Sequence, residues 1–400
     1  MSSLKEALKA QISEERIVER IKDMVKLKSY PGIPNQETET AKYIKAFFDA
    51  HGIPCELKEV IDGRCNVIAT YDTGKPGKTL MFNSHMDTVP PYGWERAFEP
   101  WVENGNLYGR GARDNKGPMA CVMEAIVALK ETGALEKGKI IVTGVIDEEH
   151  RSYGTVDIVD SGITADAAIV CEPTELEVHT CQRGLEWMKF HFIGRAVHGC
   201  RYREGINAIA KAVKFINALE EDLIPRYHAM THPLLQEATI NYGVIQGGTQ
   251  LSTVAGDCEV LVDTRFLPEQ KYEDVLADFQ SVLDKLAAED PEFKCEMSIL
   301  DVSVMKEGYV HMPFETPRDH PLVTIAKEAV TEATEQEAVL NFMTAWTDGG
   351  ILAGYMNIPT IVLGPGGGLS HAPNEHVPVD HMPKLALTYA LAAINFCHSE

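Results

Sequence analysis

Long hydrophobic runs are missing from this 400-residue sequence. No apolar segment approaches the ~20 residues needed to cross a bilayer, which excludes an ordinary membrane-spanning helix. Residues 1–27 lack both the unbroken apolar stretch and the cleavage site of a signal peptide. They mix Lys, Glu and Arg with apolar residues at helical spacing, which predicts an amphipathic helix of the mature protein, with a helix placed around residues 13–28. We therefore expect a cytoplasmic protein without a membrane partner.

A basic surface is also missing. The chain has 59 acidic and 37 basic residues, and its formal net charge is −22. Nucleic acids and anionic membranes select the opposite charge, so both are excluded as predicted partners. The acidic excess does not by itself indicate a cationic substrate, because acidic surfaces also keep proteins in solution.

Three common sequence signatures are lacking. The nine cysteines contain no CxxC pair, which argues against a disulfide framework and favours reduced, mostly buried thiols. The segment GRGARDNKG is not a P-loop, since no Ser or Thr follows its lysine and the glycine spacing differs. No GxGxxG follows an early strand, which excludes a nicotinamide-dependent oxidoreductase.

What is present is an alternation of strand and helix patterns. The length favours two domains, or one domain with an insertion. We predict a catalytic α/β domain with a helix-covered mixed sheet, formed by residues 1–182 and 305–400. The pattern changes at residue 183, and the order βαββαβ over 183–304 predicts an inserted α+β ferredoxin-like domain. Its last strand is predicted at 293–304.

Acidic residues and histidines follow the apolar strands at five places, where α/β sheets bind ligands. In TLMFNSHMDTVP, His85 could bind a metal while Asp87 accepts a hydrogen bond from its other ring nitrogen. Asp114 lies between glycines, where a simple turn is the alternative. Glu148 and Glu149 follow a buried strand, and a solvated acidic turn is the alternative there.

Two further positions complete the pattern. Glu172 ends an apolar strand, and His371 follows a glycine-rich loop, whereas His376 is predicted to be structural. Two histidines and three carboxylates from different strand ends suit a pair of divalent cations, with zinc as the predicted ion and cobalt or manganese as alternatives.

The ordered segments SHMDTVP, GRGARDNKG, DEE, CEPT and SHAPNEHVP resemble the metallopeptidase family that includes acetylornithine deacetylase, succinyl-diaminopimelate desuccinylase, aminoacylase and glutamate carboxypeptidase. The resemblance implies that Asp114 bridges two metals. His85 and Glu172 would complete one site, and Glu149 and His371 the other. It also implies that Glu148 is the general base and that Asp87 orients His85.

The resemblance extends into the insert, which would serve as lid and dimerisation domain. It implies that His198 reaches an active site across a homodimer and stabilises the oxyanion, and that Asn241, Arg265 and Gly367 bind substrate. A loop histidine and a sheet arginine paired with a nearby acid are the alternatives for His198 and Arg265. Asn115, His150, Arg151 and Trp346 depart from common family sequences, and we expect none of them to contact a metal ligand.

These features predict a two-metal hydrolase that cleaves the amide bond of a small N-acyl amino acid or a dipeptide, as a deacylase or carboxypeptidase does. Two alternatives remain open. One is an aminohydrolase that acts on a non-peptide C–N bond, which the same metal chemistry permits. The other is a non-catalytic relative that binds a metal or a peptide, although such a protein has no need of Glu148.

Overall fold

The computed structural model describes residues 2–399. Its helices are α1 Ser2–Gln11, α2 Glu14–Lys26, α3 Thr38–Ala50, α4 Lys116–Thr132, α5 Tyr153–Asp160, α6 Ala208–Ala218, α7 Ile224–Ala229, α8 Tyr272–Glu289, α9 Pro321–Thr334, α10 Gly349–Met356 and α11 His381–His398. Its strands are β1 Cys55–Ile61, β2 Arg64–Asp72, β3 Thr79–His85, β4 Trp101–Glu103, β5 Asn106–Tyr108, β6 Lys139–Val145, β7 Ala167–Val170, β8 Val178–Gln182, β9 Gly184–Ile193, β10 Thr231–His232, β11 Gln236–Glu237, β12 Thr239–Gly247, β13 Asp257–Phe266, β14 Cys295–Ile299, β15 Phe314–Glu315, β16 Leu340–Met343, β17 Thr360–Val362 and β18 His376–Pro378.

The chain divides into two compact units. The first contains residues 1–181, 314–343 and 347–400, and the second contains 182–313 with 344–346. The sequence placed the limits of the insert at 183 and 304, so the second unit extends nine residues further at its C-terminal end and adds a short segment.

A nine-stranded mixed sheet organises the first unit, in the order β1-β2-β6-β3-β7-β17-β8-β15, with β16 paired to β8. The strands β6, β3, β7 and β17 are neighbours and run parallel. Side chains alternate between the two faces, since Leu80 and Phe82 pack in one hydrophobic cluster and Met81 in the other. Helices cover both faces, which confirms the predicted α/β class.

The second unit contains a four-stranded antiparallel sheet in the order β12-β13-β9-β14. This order, with α6 following β9 and α8 following β13, is the predicted ferredoxin-like arrangement. The residues of β9 alternate between buried and half-buried positions. Phe190 and Phe192 of β9 pack against Phe215 of α6, which forms the core between sheet and helices.

Two local predictions were wrong. The N-terminal segment forms two helices rather than one, although α2 confirms the helix predicted around residues 13–28. Ser13 caps α2 by accepting a hydrogen bond from the backbone amide of Arg16. The last strand of the insert ends at Ile299, and a short 3₁₀ turn, Asp301–Ser303, follows it. Among residues 2–399, no helix is long and apolar enough to span a bilayer.

Candidate metal centre

The predicted ligands lie at one edge of the large sheet, where the four parallel strands end. His85 is the last residue of β3, and Glu148 and Glu149 follow β6. Glu172 follows β7, and His371 lies in the loop after β17. Because parallel neighbours present their carboxyl ends at the same edge, four distant parts of the sequence meet there.

Asp114 occupies the centre of this group, and its two carboxylate oxygens face different partners. Its Oδ1 atom lies 2.9 Å from Nε2 of His85, and the same nitrogen is 3.3 Å from Oε1 of Glu172. Its Oδ2 atom lies 3.5 Å from Nε2 of His371, which in turn is 3.1 Å from Oε1 of Glu149. The five side chains thus form two sets that share one carboxylate.

The donor set fits bound cations. The Nδ1 atom of His85 lies 3.1 Å from the backbone carbonyl of Asp87 and 3.4 Å from its carboxylate, so Nδ1 carries the proton of a neutral ring. In the metal-bound state the Nε2 lone pair would face the ion, and without an ion a second proton on Nε2 can donate to Asp114. Ligand atoms of His85, Asp114 and Glu149 all lie within 4.8 Å of one another. Imidazole and carboxylate are ligands that zinc and similar divalent ions accept.

The pKa values of the cluster show that burial of these carboxylates disfavours their ionised forms. Burial raises the pKa of Glu172, and it raises the pKa of Glu149 to about 7. Burial also acts to raise the pKa of Asp114, but hydrogen bonds from His371 and His85 hold it well below its usual range. The same contacts with Asp114 and Glu149 raise the pKa of His371 to about 10. Positive charge is therefore required at this site to keep the carboxylates ionised together.

Asp87 holds the acidic loop in place. Its two carboxylate oxygens accept hydrogen bonds from the backbone amides of Glu148 and Glu149, at 3.2 and 3.0 Å. No hydrogen bond from any residue in 2–399 reaches the Glu148 carboxylate itself. Burial raises the pKa of Glu148 well above its usual value; His85 opposes this shift, and the carboxylates of Glu172 and Glu149 add to it. Asp87 thus positions both His85 and the loop that carries the predicted base.

Asn115 is a site residue that sequence reasoning missed, and the expectation that it would contact no ligand was wrong. Its Nδ2 atom donates a 2.7 Å hydrogen bond to Oε1 of Glu172. Its Oδ1 atom accepts a 2.5 Å hydrogen bond from the hydroxyl of Ser84. The residue is fully buried. Its place next to Asp114 was the only available signal, and that adjacency does not tell where a side chain points.

Replacement of Asn115 by leucine, which has the same branching but no hydrogen-bonding group, should weaken metal binding. Glu172 would lose its donor, and loss of an outer hydrogen bond to a ligand typically lowers metal affinity by about 10- to 100-fold. Competition with a chelator, followed by elemental analysis, measures the change. The control is Asn83→Leu, because Asn83 is an equally buried amide whose side chain donates to Thr143 and Thr155, neither of which is a proposed ligand. Equal losses in both variants would contradict a specific role for Asn115.

The glycine-rich loop before His371 is shaped by close backbone contacts. A Cβ atom on Gly364 would lie 2.2 Å from the carbonyl oxygen of Glu172, so glycine is required where this loop passes the ligand. Gly367 has a φ of +125°, and a Cβ there would lie 2.2 Å from the carbonyl oxygen of His376. His376 lies on β18, where its ring packs against Tyr108. The substrate-binding role of Gly367 stays a prediction.

The other predicted residues lie in the second unit. His198 is exposed and caps the 3₁₀ turn Gly199–Glu204 by accepting a hydrogen bond from the amide of Cys200. Asn241 is exposed on β12. Arg265 forms a two-point ion pair with Asp263, at 2.7 and 3.2 Å, which is the alternative considered for a sheet arginine.

Known proteins resemble this chain over nearly its whole length. The model of peptidase family M20/M25/M40 matches residues 81–395. A probable succinyl-diaminopimelate desuccinylase of Staphylococcus aureus (strain MSSA476) is 24% identical over 416 residues, which cover 96% of this chain and 98% of the relative.

Solved structures show the same fold. Aminopeptidase PepT from Bacillus cereus ATCC 10987 has a TM-score of 0.81 and 24% identity, covering 96% of this chain and 99% of its own. The YXEP protein of Bacillus subtilis, described as a dinuclear metal-binding peptidase of the M20 family, has a TM-score of 0.70 and 16% identity. The latter match covers 97% of this chain and 99% of that one.

Proposed function

This chain belongs to peptidase family M20/M25/M40, and we propose that it hydrolyses the amide bond of a small N-acyl amino acid or dipeptide with two bound metal ions. Membership confirms the resemblance seen in the sequence. The observation that carries the two-metal proposal is the division of the Asp114 carboxylate, whose two oxygens face the two ligand sets separately.

The ligand assignment follows from these distances. His85 and Glu172 would hold one ion, and Glu149 and His371 the other, with Asp114 shared between them. Two bound divalent ions would supply a water of lowered pKa and polarise the substrate carbonyl. The mixed nitrogen and oxygen ligands favour zinc, with cobalt and manganese as alternatives.

Glu148 is the proposed general base. It lies beside the ligand Glu149, and its own carboxylate accepts no hydrogen bond from residues 2–399. A carboxylate with a raised pKa can take a proton from water during attack and then give it to the leaving amine. Asp87 would fix its position through the backbone of the acidic loop.

Substrate recognition is assigned to Asn241, Arg265 and Gly367 by the family resemblance. A guanidinium group suits bidentate binding of a substrate carboxylate. Because Asp263 already engages Arg265 through two nitrogens, we propose that Asp263 holds the guanidinium plane ready for such a carboxylate.

A hydrolysis screen tests the proposed function. N-acyl amino acids and dipeptides are incubated with the protein loaded with zinc, manganese or cobalt, and mass spectrometry detects the free amine. Release of an amino acid by the wild type, and not by Glu148→Ala, supports the proposal. The screen also includes ureido and aryl amine substrates, and a wild type that binds two ions but cleaves only these would place the protein in the aminohydrolase class.

We further propose a homodimer formed through the second unit. The edge strand β12 exposes Val244 and Ile245, and α6 exposes Ile209 and Val213. Ile209 lies beside Gly248, which follows β12, so the exposed side of α6 adjoins the end of this edge strand. An unpaired strand with exposed apolar residues is suited to pair with a second copy.

The cytoplasmic location stays a prediction.

His198 is proposed to act on the partner's substrate, and mixing of inactive subunits should show this. A heterodimer of His198→Ala and Glu148→Ala subunits has one site with both residues intact. The purified heterodimer should therefore regain about half of wild-type turnover, since preorganised donors at an oxyanion are typically worth ~3–4 kcal/mol. Steady-state kinetics on verified heterodimers measures this, with each homodimer as control. No recovery would place His198 outside the shared site.

A further inference from the structure

Glu375 is a fully buried carboxylate outside the ligand set, four residues after His371. Its Oε1 atom accepts three backbone hydrogen bonds, from the amides of Gly111, Arg113 and Asp114, at 3.0, 3.1 and 3.1 Å. Its Oε2 atom accepts a 2.6 Å hydrogen bond from Arg110, which is also buried. One side chain thus binds most of the segment 110–114.

These contacts join two segments that carry metal ligands. Segment 110–114 ends in Asp114, the shared ligand, and segment 370–375 contains His371. Both segments are irregular, although the strands beside them, β5 and β18, pair as far as Tyr108 and His376, and the amide of Gly109 donates to the carbonyl of Glu375. These strand contacts bring the two segments together but include neither Asp114 nor His371. The Glu375 carboxylate carries this connection on to the shared ligand, because it hydrogen-bonds the amide of Asp114 directly while the chain links it to His371.

Arg113 forms a second connection between the same segments. Its Nη1 atom donates a 2.9 Å hydrogen bond to the hydroxyl of Ser370, the neighbour of His371. Its Nη2 atom lies 3.0 Å from the carboxylate of Glu175. This connection lies nearer the surface than the Glu375 contacts, since the Arg113 side chain is 17% exposed.

The chemistry of the Glu375 site requires a carboxylate. Several amides that converge on one oxygen form a concave anion-binding arrangement, which here binds a side chain of the same protein. Hydrogen bonds to an ionised acceptor are about twice as strong as neutral ones. A neutral glutamine could still accept from the amides, but its NH₂ group would face either the amides or the Arg110 guanidinium.

We infer that Glu375 is a positioning residue that sets the distance between Asp114 and His371 and thereby the affinity for the metal pair, with Arg113 as a weaker second connection. The inference rests on the proposed two-metal function. Glu375 is not one of the proposed ligands, and it acts through the backbone of Asp114.

The test compares two buried carboxylates. Glu375→Gln is matched by Glu124→Gln, because Glu124 is equally buried and also accepts hydrogen bonds from two arginines and a backbone amide, between α4 and the segment 13–20. Both variants should lower thermal stability. Only Glu375→Gln should weaken metal binding, by about 10- to 100-fold, as loss of an outer contact to a ligand typically does.

Metal affinity is measured on the full chain by chelator competition, and the visible spectrum of the cobalt-loaded protein reports ligand geometry. Wild-type affinity and spectrum in folded Glu375→Gln, or an equal loss in Glu124→Gln, would overturn the inference. If Glu375→Gln does not fold, the metal affinity of Arg113→Met is measured instead. An affinity equal to that of the wild type would overturn the inference. A wild type that binds no pair of ions would instead reject the proposed function.

Discussion

Glu148→Gln should lower kcat by about 10²- to 10⁴-fold, the usual contribution of a general base, while both metal ions remain bound. Glutamine has the shape of glutamate but cannot accept the proton of the attacking water. The substitution removes no hydrogen bond to the Glu148 carboxylate, because none reaches it within residues 2–399. Metal content should therefore stay at the wild-type value in elemental analysis.

The adjacent residue provides the control for this experiment. Glu149 lies 3.1 Å from the His371 imidazole and belongs to the proposed ligands, so Glu149→Gln should lose metal as well as activity. Two neighbouring carboxylates would then give opposite results in the metal analysis. If Glu148→Gln loses metal and Glu149→Gln keeps it, the base and the ligand have been exchanged.

Asp114→Ala should release both ions and abolish turnover. The reason is the shared position of Asp114, since one oxygen faces His85 and the other faces His371. Without this anion, each remaining set has one imidazole and one carboxylate. The expected loss of activity exceeds that of Glu148→Gln, because metal ions supply several kcal/mol of transition-state stabilisation in addition to any base.

Elemental analysis after dialysis distinguishes a shared ligand from a ligand of one ion. Glu172→Ala should lose the ion bound with His85, and His371→Ala the ion bound with Glu149, so each of these variants should keep one ion. Retention of one ion by Asp114→Ala would show that Asp114 is not shared. Thermal denaturation with and without added metal checks that each variant is folded.

The strand ends of the site could be predicted because they follow a simple pattern. β3, β6 and β7 are short apolar runs, and the polar residue that ends each run is a proposed ligand or its neighbour. Parallel pairing then brings these ends together without further information. The large sheet and the ferredoxin-like insert followed from the same patterns.

Contacts that depend on side-chain direction could not be predicted. Asn115 was excluded from the site although it donates to Glu172, because its sequence position tells nothing of its orientation. Likewise, Arg64 binds both Glu37 and Asp147, and so fixes the residue before Glu148 through two segments far apart in the sequence. The contacts of Glu375 are similar, since its partners lie more than 260 residues earlier.

The break between α1 and α2 shows a second limit. The apolar residues of 1–27 fit one continuous helix, and only the cap at Ser13 divides it. The backbone amide of Ser13 donates to Glu124 of α4, so a tertiary contact fixes the break. Periodicity predicts which face is buried, but it does not predict such a contact.

The order of the ligands along the chain has a consequence for biosynthesis. His85, Asp114, Glu149 and Glu172 all precede the second unit, and His371 follows it. A growing polypeptide can therefore gather the first ion's ligands early, but it cannot complete the second ion's set until residue 371 has left the ribosome. On the proposed mechanism, a nascent chain that has already folded its insert is still unable to cut amide bonds in the cell.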